Sequence, residues 1–146
     1  MLVIETLHHV SLPIRDLERA REFYGGMLGL TEIDRPAFGF GGAWYRVGDR
    51  DLHLIVSKPG EHATFRQDKG IDSHDAHVAI RVRSYSGAVR HLEAHGFRAA
   101  DDRNPQPTDA NPRPMRLNPG GPAGFPQIYI LDPDRNVIEI NASILD

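Results

Sequence analysis

The sequence contains no cysteine among its 146 residues, and its opposite charges nearly balance, with a formal net charge of −3. The missing cysteine excludes a disulfide framework, a thiolate nucleophile and a cysteine-ligated zinc site. Neither a basic excess nor a basic amphipathic stretch indicates binding to nucleic acid or to a membrane. The residues before the first predicted strand are few and include Glu5, so they match neither a signal peptide nor a spanning helix. We therefore expect one compact, cytoplasmic domain.

Histidine, in contrast, is abundant, and two of the eight histidines open similar segments. His9–Ile14 and His77–Val82 both begin His-Val and then alternate an aliphatic residue with a small, polar or turn-prone one. This alternation predicts half-buried β-strands in which each histidine lies on the face opposite the aliphatic residues. A histidine at the same place in two copies of one element indicates a shared site.

The first histidine strand opens a β-α-β-β-β pattern. Asp16 is placed to cap a helix, and Gly29 is placed to end it. Short strands are predicted at residues 30–33, 44–47 and 52–56, with a hairpin turn at 48–51 between the last two. The first module therefore covers about residues 5–58.

The same plan restarts after a polar, turn-rich joint at about residues 59–74. His77 opens the strand, Ser84 is a candidate helix cap, and Gly96 is placed to end the helix. A possible strand at 97–100 and a hairpin of residues 127–131 and 136–141 complete the second module, about 75–143. The spacing from histidine to glycine differs by one residue between the copies, which favours a duplication.

A long segment, Asp101–Pro126, has no counterpart in the first module. It contains seven prolines and three glycines, with a possible strand at Met115–Leu117. A segment of this length is either a functional loop, for example a lid that excludes water from a site, or a solvated insert stiffened by proline.

Four polar residues occupy matching positions of the two modules. His9 corresponds to His77, and His53 in the last strand of the first module corresponds to Glu139 in the last strand of the second. Because the helices need the aliphatic faces to cover, we expect all four side chains to converge on the opposite, concave face. Imidazole and carboxylate groups without cysteine suit a divalent transition metal, and two histidines with one carboxylate are typical of a catalytic metal site.

The residues resemble the vicinal oxygen chelate superfamily, which includes glyoxalases, extradiol dioxygenases, fosfomycin-resistance transferases, methylmalonyl-CoA epimerases and bleomycin-binding proteins. The resemblance lies in the spacing of His9-Val10, Asp16-Leu17, Phe23-Tyr24 and Leu28-Gly29-Leu30, in His77-Val78-Ala79-Ile80, and in Asp132-Pro133-Asp134 followed by Asn136-Val137-Ile138-Glu139. It implies an α+β fold in which two βαβββ modules form a cupped, mostly antiparallel sheet with the helices outside. One departure is Arg135, where the family's last turn usually has glycine.

The resemblance also implies a ligand set and a substrate class. The metal ligands would be His9, His77 and Glu139, with His53 as a fourth ligand in one alternative, and the ion would be Fe(II), Zn, Ni or Mn. The substrate would be a small molecule that chelates the ion through two neighbouring oxygens. A homodimer is also implied, since relatives commonly form dimers.

Three functions remain open at this level. In a glyoxalase-like lyase or isomerase, His53 would complete the ligand set, and a base would remove a proton next to a carbonyl. In a single-domain extradiol dioxygenase, His53 would take a proton from a catechol, and Tyr129, ten residues before Glu139, would hydrogen-bond a substrate oxygen. The third possibility is a metal-free binding protein of the bleomycin-resistance type, with an aromatic ligand near Trp44 or Phe40.

Further polar residues are weaker candidates. Three arginines, either solvated or in contact with an anionic substrate group, are Arg46, Arg113 and Arg116. Five histidines lack repeat partners and are expected at the surface or around the site: His8, His62, His74, His91 and His95.

Overall fold

The structure, a computed structural model, describes residues 1–58 and 69–146. The chain divides into two compact units, Met1–Phe65 and Arg66–Asp146. Residues 59–68 of the predicted joint, with His62, lie outside the described residues. None of the described helices is long and apolar enough to cross a membrane.

The first unit has the predicted β-α-β-β-β order. Its elements are β1 (His9–Ile14), α1 (Leu17–Arg21) with a π-helical continuation (Glu22–Met27), β2 (Thr31–Ile33), β3 (Gly42–Val47) and β4 (Arg50–Val56). The strands form a four-stranded sheet in the order β1-β4-β3-β2, in which β1 and β4 are parallel and the other pairs antiparallel. The two ends of the module therefore meet side by side.

The second unit repeats this arrangement with an addition. Its elements are β5 (His77–Val82), α2 (Tyr85–Ala94), β6 (Arg98–Ala99), β7 (Pro114–Asn118), β8 (Gln127–Leu131) and β9 (Val137–Ala142). They form a five-stranded sheet in the order β5-β9-β8-β7-β6, again with a parallel pair, β5 and β9, formed by the first and last strands. The α+β class and the βαβββ modules are confirmed, and both sheets mix parallel and antiparallel pairs.

The predicted helix caps are confirmed. Asp16 accepts a hydrogen bond from the Arg19 amide at 3.0 Å, and Ser84 accepts one from the Gly87 amide at 2.9 Å. Gly29 and Gly96 follow the helices with positive φ angles of 70° and 85°. That backbone region is open to glycine at little cost, which explains why both helices end there.

Alternation along the strands separates an apolar face from a polar face in each sheet. Leu52 and Leu54 of β4 and Ile138 and Ile140 of β9 are buried, with at most 4% of their surface exposed. Residues of the opposite parity carry the histidines and the glutamate. Since paired residues of neighbouring strands point to the same face, each sheet presents one polar face.

Candidate functional site

The strand register places His53 and Glu139 at equivalent positions of the two sheets. His53 pairs with Ser11, two residues after His9, and Glu139 pairs with Ala79, two residues after His77. The correspondence predicted from the repeat is thereby confirmed. The first unit contributes the pair His9 and His53, and the second contributes the pair His77 and Glu139.

In the second unit, the His77 ring is fixed between a backbone carbonyl and the glutamate. Its Nδ1 lies 2.7 Å from the Asp75 carbonyl oxygen, and its Nε2 lies 3.2 Å from Glu139 Oε2. Because a carbonyl oxygen only accepts, Nδ1 carries the ring proton of neutral His77, and Nε2 presents a lone pair. This lone pair faces a carboxylate oxygen, an arrangement that a proton or a metal ion between the two atoms satisfies.

Glu139 is a buried carboxylate held by neutral donors. Asn141 Nδ2 donates to Oε1 at 2.6 Å, and the side chains of Gln127 and Tyr129 also hydrogen-bond to the carboxylate. Burial by itself raises the pKa of Glu139, but these hydrogen bonds and the nearby His77 outweigh burial, so the pKa is lowered. The carboxylate is therefore charged at neutral pH and suited to bind a cation.

Tyr129 connects Glu139 to the neighbouring strands. The tyrosine pairs with Glu139 across β8 and β9, and its ring meets the His77 ring edge-on, with 5.8 Å between centroids. Gln127 Nε2 donates to the tyrosine oxygen at 2.8 Å, and Asn118 Nδ2 donates to Gln127 Oε1 at 2.9 Å. Burial, with the hydrogen bond to Glu139, raises the pKa of Tyr129 to about 12, so its hydroxyl stays protonated and donates.

In the first unit, His53 lies between two aromatic rings. The His9 ring stacks on one side with 4.1 Å between centroids, and the Trp44 ring stacks on the other with 4.0 Å. His53 is 7% exposed, and its buried Nε2 has no hydrogen-bond partner among the described residues. A buried polar atom without a partner is costly, so this nitrogen points to a ligand, a proton donor or an ion.

The surroundings of His53 favour its neutral form. Burial lowers the pKa of His53 first, and the charges of His9 and Arg35 lower it further, against an opposing effect of Asp51. Asp51 itself is paired with Arg46, whose Nη1 lies 2.9 Å from its Oδ1. His53 is therefore an imidazole with a free lone pair, the form that accepts a proton or binds a metal.

The two pairs fit a divalent metal as partial ligand sets. Within the described ranges, no three His, Asp or Glu side chains are grouped closely enough to hold a metal ion. The fit therefore rests on the donor chemistry. In His77, Nδ1 is fixed by a carbonyl oxygen and Nε2 is directed at a charged carboxylate, which is the orientation that metal-binding histidines take.

The three arginines and His8, which the sequence indicated as weaker candidates, lie in different parts of the structure. Arg46 and Arg116 share the polar faces of their sheets, Arg116 pairing with Tyr129 and donating to the Arg103 carbonyl at 2.9 Å. Arg113 donates to the His95 carbonyl at 2.9 Å, beyond the end of α2. His8 lies against His9, with 2.9 Å between their Nδ1 atoms.

The remaining described histidines lie away from the pairs. His91 and His95 stack at the end of α2, with 4.4 Å between ring centroids. His74 is exposed and its Nδ1 lies 3.2 Å from Asp72 Oδ1.

Sequence reasoning missed three residues that hold Glu139 in place: Asn118, Gln127 and Asn141. For two of these three residues, the spacing in the sequence already indicated a place on the same face as Glu139 or Tyr129. Asn141 follows Glu139 by two residues and Gln127 precedes Tyr129 by two, so each shares the face of its neighbour. Asn118 joins them only through the pairing of β7 with β8, which the sequence does not give.

The fold and the paired polar residues define a class: α+β proteins made of two βαβββ modules, with histidine and glutamate on the polar faces of the sheets. A family model described as the Glyoxalase/Bleomycin resistance protein/Dioxygenase superfamily matches residues 6–140. The chain belongs to this superfamily, as its motifs predicted.

Individual relatives are more distant. The chain is 28% identical over 97 residues to Glyoxylase I 4 of Arabidopsis thaliana, an alignment that covers 66% of this chain and 55% of the relative. The chain thus spans about half the length of this curated relative. A glyoxalase family protein from Bacillus anthracis is 22% identical, with a TM-score of 0.69 and coverage of 97% of this chain and 98% of that one.

A second similar solved structure contains a bound metal ion. It is a mutant of the fosfomycin resistance protein of Listeria monocytogenes, complexed with Mn(II) and 1S,2S-dihydroxypropylphosphonic acid. It is 15% identical, with a TM-score of 0.66 and coverage of 98% of this chain and 95% of that one. At these identities the two structures support the fold alone.

Proposed function

We propose that this chain is a metal-dependent enzyme acting on a small substrate with two neighbouring oxygen atoms. In this proposal His9, His77 and Glu139 bind a divalent cation, Fe(II), Zn, Ni or Mn. Such an ion, when bound, stabilises negative charge that develops on substrate oxygens. The observation that carries the proposal is the contact of 3.2 Å between His77 Nε2 and Glu139 Oε2, with Nδ1 anchored on the Asp75 carbonyl.

His53 is the residue proposed to move protons. Glu139 is a poor base because Asn141, Gln127 and Tyr129 already hydrogen-bond to its carboxylate. His53 instead offers a buried Nε2 with no partner in the described part of the chain. The ring cannot tilt freely because His9 and Trp44 lie against its two faces, so Nε2 is held in one direction.

A lyase or isomerase of the glyoxalase type is the first candidate. Here His53 takes a proton from the carbon next to a substrate carbonyl and returns it to a neighbouring atom. The name of the Arabidopsis relative supports this candidate.

A single-domain extradiol dioxygenase is the second candidate. The position of Tyr129 favours it, since this protonated hydroxyl lies beside Glu139 and would donate to a substrate oxygen in place of the carboxylate. His53 then accepts a hydroxyl proton from a catechol.

Elemental analysis tests the metal proposal directly. The protein is purified without added metal, reconstituted with each of the four ions and desalted. We expect about one equivalent per chain in the wild type and loss of it in both His77→Ala and His9→Ala. His74→Ala serves as the matched control, because His74 is an exposed histidine of the second unit whose side chain is 75% accessible.

Activity assays on the loaded protein then separate the candidates. Thioester formation from a glutathione hemithioacetal supports the lyase, and a yellow ring-opened product from a catechol in air supports the dioxygenase. His53→Gln should remove either activity and leave the fold, judged by circular dichroism, unchanged. A wild type that holds no ion contradicts the proposal and favours a metal-free binding protein.

A further inference from the structure

An aromatic surface leads away from His53 across the first unit. Beyond Trp44, the Phe38 ring lies 5.9 Å from the indole, and Phe40 stacks on Phe38 with 5.2 Å between centroids. We call Trp44, Phe38 and Phe40 the aromatic wall. Both phenylalanines are 44% exposed, although large apolar side chains are usually covered. The wall therefore offers apolar ring surface next to the proposed base.

Arg35 supplies a positive charge at the same wall. Its guanidinium lies 4.6 Å from the Phe38 ring centre and 5.1 Å from that of Phe40, and its Nη2 donates to the Phe40 carbonyl at 2.8 Å. The contacts fix the side chain and leave other N–H groups of the fork available. The charge also contributes to the lowered pKa of His53, after burial and the charge of His9.

Within the described part of the first unit, Arg35 lacks the carboxylate partner that three other arginines have. Arg21 is paired with Glu18 and Glu32, Arg46 with Asp51 and Arg50 with Asp49. Among the described residues no acidic group pairs with Arg35, and its side chain is half-buried. A half-buried guanidinium without a counter-charge is a ready site for an anion.

Gly42 maintains the space for this arginine. A Cβ at position 42 would lie 3.2 Å from Arg35 Nε and would collide with the Leu54 carbonyl oxygen. The guanidinium therefore lies close to the backbone at the start of β3, an approach that the missing Cβ permits.

We infer that the substrate is an aromatic carboxylate, whose ring lies on the aromatic wall and whose carboxylate pairs with Arg35. The inference rests on the proposed function and names the substrate class for the same site. Ring packing on Phe38 and Trp44 provides the apolar contact, and the arginine fork selects a planar anion. Both groups lie in the first unit, so the inference can be tested without a metal.

Fluorescence of Trp44 reports binding directly, since it is the only tryptophan of the chain. The full-length protein is titrated in the presence of a chelator with phenylacetate, phenylacetamide and cyclohexylacetate. The amide keeps the ring and removes the charge, whereas the third probe keeps the charge and removes the aromatic ring. We expect saturable binding of phenylacetate and at least tenfold weaker binding of the other two.

Variants assign the two contacts. Arg35→Gln should weaken phenylacetate binding at least tenfold and leave phenylacetamide binding unchanged, and Phe38→Leu should weaken both. Arg50→Gln, at the hairpin turn of the same sheet, is the matched control and should change neither. Unchanged phenylacetamide binding also shows that the loop around Arg35 is intact.

Three outcomes would overturn the inference: no saturable change with phenylacetate, equal affinity for the three probes, or wild-type phenylacetate affinity in Arg35→Gln. Equal loss of both aromatic probes in Arg35→Gln would limit Arg35 to a structural role and overturn the anion contact. Because the titration contains no metal, its result is independent of the elemental analysis. A metal-free protein that still binds phenylacetate would contradict the proposed function alone.

Discussion

Arg135 occupies a position in which the backbone favours glycine. Its φ is 65°, the only positive value of a non-glycine residue in the described part of the chain. This conformation accounts for the glycine that the family usually has in the turn between β8 and β9. We predict that Arg135→Gly increases the free energy of unfolding by up to ~1 kcal/mol, because a Cβ is unfavourable in the left-handed region. Urea denaturation measures the change.

The arginine side chain opposes part of this gain. Its Nη1 donates to the Lys69 carbonyl at 3.1 Å, a contact that glycine loses. Arg135→Ala loses the same contact and keeps the strained backbone, so it should be less stable than the wild type. A glycine variant no more stable than the alanine variant would show that the backbone conformation costs nothing.

At the level of single residues, the sequence predicted what depends on local spacing. Asp16 and Ser84 were identified from their places before the helices, and His53 and Glu139 from their matching strands. The ring contacts of Trp44 and the bond from Asn118 to Gln127 depend on which strand lies beside which. A single sequence does not contain that register, and these contacts were found only in the structure.

The start of α2 is held by a charge from far along the chain. Asp146 accepts hydrogen bonds from the Ser86 amide at 2.9 Å and from the Ser84 hydroxyl at 2.5 Å. The hydrogen bonds from Ser84 and from the Ser86 amide lower the pKa of Asp146 to about 2, from an ordinary value of 3.8. A negative charge is favourable at the N-terminus of a helix, where backbone N–H groups are unpaired.

The stabilisation that Asp146 provides at the start of α2 should depend on pH. Because the folded-state pKa is depressed, the stabilisation is complete above pH 3.8 and is lost as the pH falls towards 2. Asp146→Asn should therefore lower the melting temperature by a constant amount at neutral pH, with a difference that disappears near pH 2. Thermal unfolding followed by circular dichroism from pH 2 to 7 measures it.

The exposed residue Asp109 provides the control, since Asp109→Asn should leave the curve unchanged. A difference between wild type and Asp146→Asn that persisted at pH 2 would show that the charge of Asp146 is not responsible.

At the level of elements, the predicted helices and strands agree with the structure with two exceptions. One concerns the type of helix before Gly29, and the other concerns the length of the strand predicted at 97–100. The apolar spacing predicted one helix ending at Gly29, whereas residues 22–27 form a π-helix in which the Leu28 amide donates to the Phe23 carbonyl, five residues earlier. Apolar spacing does not distinguish the two windings over so short a stretch. The possible strand at 97–100 is reduced to two residues, which pair in parallel with β7.

At the level of the whole molecule, the homodimer stays a prediction. The apolar side chains before β1 are largely exposed: Leu2 is 86% exposed, Val3 82% and Ile4 79%. A contiguous apolar stretch in water is unfavourable, by ~25 cal/mol for each Å² that a partner would cover. We expect light scattering to give about twice the chain mass of 16.3 kDa.

Acidic residues introduced into this apolar stretch should dissociate the predicted homodimer into single chains. We expect Val3→Asp with Ile4→Asp to give the mass of one chain, while Thr6→Asp, a polar position nearby, keeps that of two. A wild type that runs as one chain at high concentration would contradict the dimer.

The parallel pairing of the first and last strands of each unit sets an order for folding during synthesis. β1 cannot pair with β4 until β4, which ends at Val56, has been synthesised. In the same way β5 cannot pair with β9 until the chain has been extended to Ala142. At usual translation rates the intervening stretch takes the ribosome roughly 5–15 s. The first unit therefore has time to fold, with His9 and His53 already side by side, before the codon for Glu139 is read.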